Sequence, residues 1–276
     1  MYEKYWGLTE KPFENTPDPR FMYYSKKHEE ALTRLLYAIK EEKGAAMLAG
    51  DYGSGKTVLS RIIIDELIKN KIYEVALIIH PLLTPVQFMQ EIIYQLKNEH
   101  VKGSKSELLH IMQEEIYQNH QKGKKTVIII DEAQIVKSEE TFDEIRLFLN
   151  FQLNNKFLLT LVLIGQPELL KSVTAIPQLD QRLGIRYYLS GLDLQETQEY
   201  IRHRLTVAGA KAGIFAAEAV QKIYDYSGGL PRKINNICDM GLLIGFGQEA
   251  QEVNKELVDK VAADLSKEVA VYAKNV

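Results

Sequence analysis

Apolar residues at Ala31, Leu35, Leu36 and Ile39 follow the three- and four-residue spacing of an amphipathic helix that begins near Ser25 and stops before Gly44. An unbroken apolar run, AAMLA (45–49), then leads into glycines, and VLSRIIIDELIKN after them has helical spacing again. The alternation continues along the chain. YEVALIIH (73–80) predicts a strand, and Thr84-Pro85 a cap and first turn for a helix to about Lys97. A helix near 106–120, the strand TVIII (126–130), a helix over about 139–154 and the buried strand FLLTLVLI (157–164) follow. Strands that are apolar throughout, separated by helices, indicate a parallel sheet covered on both faces. After a short strand, RYYLSGL (186–192), only helical spacing remains. DLQE (193–196) has the form of a capping box and opens a helix to about Ala208, followed by helices near 215–226, 231–246 and 254–268. Three regions result: 1–27, 28–192 and 193–276.

The first of these has neither period. It is rich in aromatics and proline, so an ordered extended arm is expected, with Pro17 and Pro19 restricting the backbone and Trp6, Phe13, Phe21, Tyr23 and Tyr24 supplying surface to pack.

Composition narrows the function classes. The 276 residues are 46% hydrophobic and 26% charged, the balance of a globular protein, and the net charge of −3 offers no general attraction to nucleic acid or anionic lipid. DNA therefore stays an open partner that charge does not indicate. The single cysteine, Cys238, lies in an apolar helical pattern and reads as a buried structural thiol. The longest uncharged apolar run (157–165) is about half the length that crosses a bilayer, and MYEKYW lacks a signal-peptide core, so a cytoplasmic protein without a membrane segment is expected. The six histidines show no metal-ligand spacing.

Chemistry enters with GDYGSGKT (50–57), which meets G-x-x-x-x-G-K-[ST] at every fixed position, with a strand before it and a helix after it. The glycines let backbone N–H groups face phosphate, Lys56 brings a point charge to the β/γ oxygens, and Thr57 offers a hydroxyl to Mg²⁺. Gly50, Asp51, Tyr52, Gly53, Ser54, Gly55, Lys56, Thr57 and Val58 are thus the candidate nucleotide contacts. TVIIIDEAQ (126–134) ends a strand in two carboxylates. Asp131 is placed to hold Mg²⁺ through water, and Glu132 to polarise an attacking water. In LVLIGQPEL (161–169), Gln166 lies just past a strand that would sit between these two motifs, where it orients the water or touches the γ-phosphate; a turn glutamine before Pro167 is the plainer alternative. Arg182, in LDQRLGIRYY (179–188), closes a helix before the last strand with Arg186 nearby, and either reaches a neighbouring subunit's nucleotide or makes a local salt bridge. In SGGLPRKIN (227–235), Gly-Gly-Leu-Pro reads as a break and a helix start. Arg232 and Lys233 then sit at the positive end of a helix dipole, unfavourable by about 0.3–1 kcal/mol unless an anion lies opposite. A γ-phosphate would be that anion for Arg232, with Lys233 solvated.

The set Gly50–Thr57, Asp131-Glu132, Gln166, Arg182 and Arg232, followed by a helical region, resembles the AAA+ ATPases. More narrowly, YWGLTEKPFENTPDPRFMYYSKKHEEAL, IGQPEL, LDQRLGIRYYL, EYIRHRLTVAG and GGLPRKIN resemble the ExeA/GspA type of secretion-associated AAA+ ATPase over nearly the whole chain. The resemblance implies an α/β P-loop AAA+ module, a parallel sheet flanked by helices, with a small all-helical lid domain that hydrolysis opens and closes. It also implies ATP and Mg²⁺ as cofactors, an arginine finger at Arg182 in a ring or filament of identical subunits, a first sensor at Gln166 and a second at Arg232. The arm would line the adenine side through Pro12, Phe13 and His28. A protein client in an envelope secretion system is the implied output, with a place in the cytoplasm or at the periphery of the inner membrane. ExeA-type proteins continue into a membrane segment and a peptidoglycan-binding domain, which the sequence to Val276 does not contain, so anchorage and wall binding are not carried over. Transposition regulators of the TniB, TnsC and MuB kind share the shape and supply the rival expectation, an ATP-switched DNA-binding module. NNKFL (154–158) lacks the aspartate of a guanine-recognition box, which favours ATP.

Overall fold

The structure, a computed structural model, describes residues 1–16, 18–136, 139–211 and 213–273; Pro17 lies outside them. The described chain divides into two units. One comprises Lys26–Asp51 and Lys56–Leu189, the other Met1–Ser25, Tyr52–Gly55 and Ser190–Val276.

The first, the sheet unit, holds a five-stranded parallel sheet. Its strands are β1 (Ala45–Gly50), β2 (Tyr73–Ile78), β3 (Lys125–Ile130), β6 (Leu159–Gly165) and β7 (Leu183–Leu189), in the order β2-β3-β6-β1-β7. Met47, Ala76, Ile78, Ile128, Ile130, Leu161 and Leu163 share one core with α3 (Pro85–Lys97), α4 (Lys105–Gln121) and α5 (Glu139–Phe148). The alternate residues Ala46, Leu48, Val127, Ile129, Val162 and Ile164 are equally buried and face the other side, where α1 (Lys26–Lys40) and α2 (Lys56–Lys69) lie against the sheet. Burial on both faces is why these strands read as continuous apolar runs. α3 opens on a capping box between Thr84 and Gln87 with Pro85 in its first turn, and α4 on a second box between Ser104 and Glu107.

Three elements depart from the sequence expectation. The helix expected to 154 ends at Phe148, because the chain turns at Asn154-Asn155 into a hairpin of β4 (Gln152–Leu153) and β5 (Lys156–Phe157). The Phe157 ring fits against Gly44, where an added Cβ would lie 2.9 Å from it. The next strand consequently begins at Leu159. The last strand runs over 183–189 rather than 186–192, with Leu183 and Leu189 buried and alternate residues between them exposed, the pattern of an edge strand paired only to β1. Two short helices, α6 (Glu168–Thr174) and α7 (Pro177–Asp180), fill the connection before it.

The second, the helical unit, is built on α8 (Leu194–Val207), α9 (Ala217–Ser227), α10 (Pro231–Gly247) and α11 (Lys255–Ala273). Asp193 and Glu196 form the expected capping box of α8. The arm is a series of turns with one 3-10 turn, Pro19–Phe21, capped by Asp18. Its Tyr2, Leu8, Phe13 and Phe21 enter the same core as Tyr200, Ile201, Ile234 and Leu242. Trp6 Nε1 donates to the Leu242 carbonyl (2.9 Å) and Tyr2 Oη to Asp239. Cys238 is buried there, and burial pushes its thiol pKa up, away from thiolate chemistry.

Candidate functional site

Within the sheet, β6 lies between β1 and β3, so the carboxyl ends of three adjacent strands deliver Gly50, Gln166 and Asp131-Glu132 in turn. Crevices at such strand ends are where open α/β sheets take ligands. Gly50 is required sterically, since a Cβ there would stand 2.5 Å from the Leu189 carbonyl oxygen. Beyond it Gly53 (φ +82) and Gly55 (φ +102) adopt backbone that side chains disfavour, the curl that turns N–H groups toward an anion. Lys56 is buried at the first position of α2, and its Nζ donates to the carbonyls of Gly50 (2.8 Å) and Asp51 (2.9 Å), which ties the ammonium to the end of β1. Thr57 is exposed in the same first turn; Asp51 and Val58 are half-buried and Ser54 is buried.

Asp131 is buried at the end of β3, and its Oδ1 accepts from the Glu132 N–H (2.9 Å). Burial raises its pKa above the ordinary carboxylate value, the Glu132 N–H opposes that shift, the Glu132 charge adds to it, and the cations of Lys56 and Arg61 counter it. Glu132 has left-handed backbone (φ +51) and caps a 3-10 turn, Ala133–Ile135. Its Oε2 accepts from Gln134 Nε2 (2.6 Å) and from Gln166 Nε2 (3.3 Å), while the Gln166 N–H donates to Gln134 Oε1 (2.9 Å). The structure thus brings Glu132 and Gln166 together through a residue, Gln134, to which the sequence reading gives no role. Its signal was its place in DEAQ, two residues past Glu132. Two further residues had no such role: Arg61, four beyond Thr57 on α2, and Tyr188 on β7. Tyr188 Oη donates to Asp51 Oδ1 (2.7 Å), and this bond, with burial, pushes its pKa up to about 12.

Arg182 sits between α7 and β7, half-buried, with Nη1 buried and without a partner among the described residues. The local salt bridge in this segment belongs instead to Arg186, on Asp180 (2.7 Å). In the helical unit, which includes Tyr52–Gly55, the Arg232 N–H donates to the Gly53 carbonyl (3.2 Å) and the guanidinium lies 4.8 Å from the Tyr52 ring centre. A Cβ on Gly53 would meet that of Arg232 at 2.6 Å. Gly229 ahead of α10 is equally constrained: at φ +71, an added Cβ would fall 1.9 Å from the Leu192 carbonyl oxygen. Lys233 is exposed. Of the adenine-side candidates, Pro12 and Phe13 are buried in the helical unit, the Pro12 carbonyl accepting from Arg204 Nε (2.5 Å) and the Phe13 ring edge-on to Phe215 (5.9 Å). His28 is buried on α1 of the sheet unit.

An all-oxygen pair, the Thr57 hydroxyl and the Asp131 carboxylate, suits a hard cation such as Mg²⁺, which keeps several waters and takes its remaining ligands from phosphate. Among the described residues no group of three or more His, Cys, Asp or Glu side chains converges on a metal position, and no helix is long and apolar enough to cross a membrane.

Residues 39–173 match the family model of the AAA domain, a span that includes the glycine loop, Asp131-Glu132 and Gln166. Over 256 residues, 92% of its length, the chain is 36% identical to General secretion pathway protein A of Aeromonas hydrophila. The chain is a GspA-like AAA ATPase-family protein. This GspA-like chain spans 46% of that relative's length. Solved structures of similar fold include the Aeropyrum pernix ORC2 protein in its ADPNP-ADP complexes (TM-score 0.66, 16% identity, 92% of this chain and 71% of that one). Drosophila ORC bound to DNA (0.68, 19%, 92% and 64%) and the Thermotoga maritima RuvB Holliday junction branch migration motor (0.57, 21%, 88% and 70%) are others. At these identities the likeness is one of fold, and the GspA-like chain shares the P-loop ATPase architecture with them.

Proposed function

We propose that the chain binds ATP with Mg²⁺ and hydrolyses it, as an oligomer that drives assembly or remodelling in a bacterial envelope secretion system. The observation that carries the hydrolytic reading is the pair at the end of β3: a buried Asp131 beside a Glu132 whose carboxylate two glutamine amides hold, one strand away from the glycine loop. Lys56 and the N–H groups of the curled loop hold the phosphates. Thr57 and Asp131 would hold the metal, which would supply neutralisation of phosphate charge. Glu132 orients a water and takes its proton as the water attacks, and Gln166 fixes that water's other side. Arg182, whose Nη1 has no partner among the described residues, offers charge to the nucleotide of a neighbouring copy. Arg232, lying on the loop's own Gly53, offers charge to the terminal phosphate.

The test is Glu132→Gln, which keeps shape and removes the proton acceptor. It is expected to bind ATP and accumulate it unhydrolysed, with turnover down by about 100-fold or more. Unchanged turnover would refute the assignment. The secretion role, which the 36% identity to General secretion pathway protein A supports, expects phosphate release to be indifferent to double-stranded DNA at fixed salt. DNA-stimulated hydrolysis with filament growth would replace it by the DNA-binding role.

A further inference from the structure

The amide of Gln134 faces two ways. Nε2 donates to Glu132 Oε2 at 2.6 Å, and Oε1 accepts from the backbone N–H of Gln166 at 2.9 Å. A side-chain amide can do both at once, whereas an ionised carboxylate has no donor and an ammonium or guanidinium has no acceptor. The backbone is arranged around this contact. Glu132, at φ +51, reverses the chain into the 3-10 turn that folds the Gln134 side chain back onto it, and the fully buried Ala133 anchors that turn. From the opposite side β6 ends in Gly165, where an added Cβ would stand 2.6 Å from Gln134 Oε1 and 2.9 Å from Leu169 Cδ2. The end of β6 is thus bare at the point where the amide passes.

We infer that Gln134 is a positioning residue for the hydrolytic reaction. It fixes the Glu132 carboxylate to the backbone at the end of β6, so that the water-polarising group and the Gln166 side chain are held as one assembly. Gln134 acts through Glu132 and itself touches no phosphate. The inference rests on the ATPase reading above.

Gln134→Glu separates the two bonds: it keeps an acceptor for the Gln166 N–H and loses the donor to Glu132. The full chain, Gln134→Glu, Gly165→Ala, Glu132→Ala and the double variant Gln134→Glu/Glu132→Ala would be compared in steady-state ATP hydrolysis and in binding of a fluorescent ATP analogue. Loss of a hydrogen bond to a charged group is expected to lower kcat about 10- to 100-fold in Gln134→Glu, with analogue binding within about twofold of the parent. Because the residue works through Glu132, the same change should cost nothing further in the Glu132→Ala background. Gly165→Ala, which leaves the Gln134 side chain in place but obstructs it, should lower kcat in the same direction. Gln134→Glu hydrolysing within about twofold of the parent would overturn the inference, as would its full effect persisting without the Glu132 carboxylate. A Gln134→Glu chain that no longer binds the analogue would assign the residue to folding and overturn it too. A parent chain that binds ATP and fails to hydrolyse it would instead overturn the ATPase reading, so the two failures are distinct.

Discussion

Arg204 in the helical unit and Asp131 in the sheet unit are each 6% exposed, yet their surroundings are opposite. Arg204 donates to the carbonyls of Pro12 (2.5 Å) and Glu14 (2.9 Å) and to the Tyr200 hydroxyl (2.8 Å), and its guanidinium lies against the rings of Phe21 (4.9 Å) and Tyr200 (5.6 Å). Tyr200 donates onward to Asn235, which in turn donates to Asn15. The network is saturated by groups of the unit itself and ties the arm to α8 and α10. At Asp131 the burial outweighs the compensation, and the carboxylate pKa stays raised despite Lys56 and Arg61. A buried polar group whose bonds are all internal does structural work, whereas one left under-compensated at converging strand ends is suited to a ligand.

Substitutions should separate the two kinds of burial. Lys56→Ala removes the charge at the glycine loop and is expected to reduce turnover about 100- to 1000-fold, an effect far larger than its cost in stability from the Gly50 and Asp51 carbonyls left without that donor. Arg204→Met leaves two carbonyls and a hydroxyl without their donor, and should cost about 3 kcal/mol in urea denaturation, with the arm exposed to limited proteolysis. Asp131→Asn should do the reverse of Arg204→Met: Mg²⁺-dependent hydrolysis is lost, yet the ligand-free chain is more stable than the parent at neutral pH. The sign follows from the raised folded pKa. The native state then holds its proton to higher pH than the unfolded chain, whose value is near 3.8, so stability falls as pH rises through that window, and the amide escapes this loss. The smallest effect belongs to His203, whose pKa is lowered by burial and by the charge of Arg204 against the opposing carbonyls of Arg20 and Met22. The unfolded chain takes up that proton first, so this contribution is present above about pH 6.5 and is lost as pH falls through the folded value. Thermal melts of His203→Gln between pH 5 and 8 should show a shallower acid limb than the parent.

The sheet and the glycine curl are legible in the sequence because both are written locally. Strands buried on two faces are continuous apolar runs, and a curl around phosphate needs glycines at fixed spacing. The hairpin at 152–157 was not, since LNNKF carries helical and turn signals together and the Phe157 contact with Gly44 spans the sequence distance that a local pattern cannot see. Arg204 reads as one more surface cation of a helix until its partners, 190 and 192 residues earlier, are in place. In the candidate site, Asp131, Glu132 and Gln166 are each singled out by a motif of their own. Gln134 could not be singled out, because its significance lies in a bond across to β6.

The central claim is that Asp131-Glu132 and the glycine loop hydrolyse ATP. Phosphate release by the intact chain with ATP and Mg²⁺, set beside that of Glu132→Gln, tests it most directly. Steady release by the parent, with retained ATP binding and release slower by about 100-fold in the variant, is the predicted result. Equal rates in the two chains, or no release by a parent that binds ATP, would contradict it.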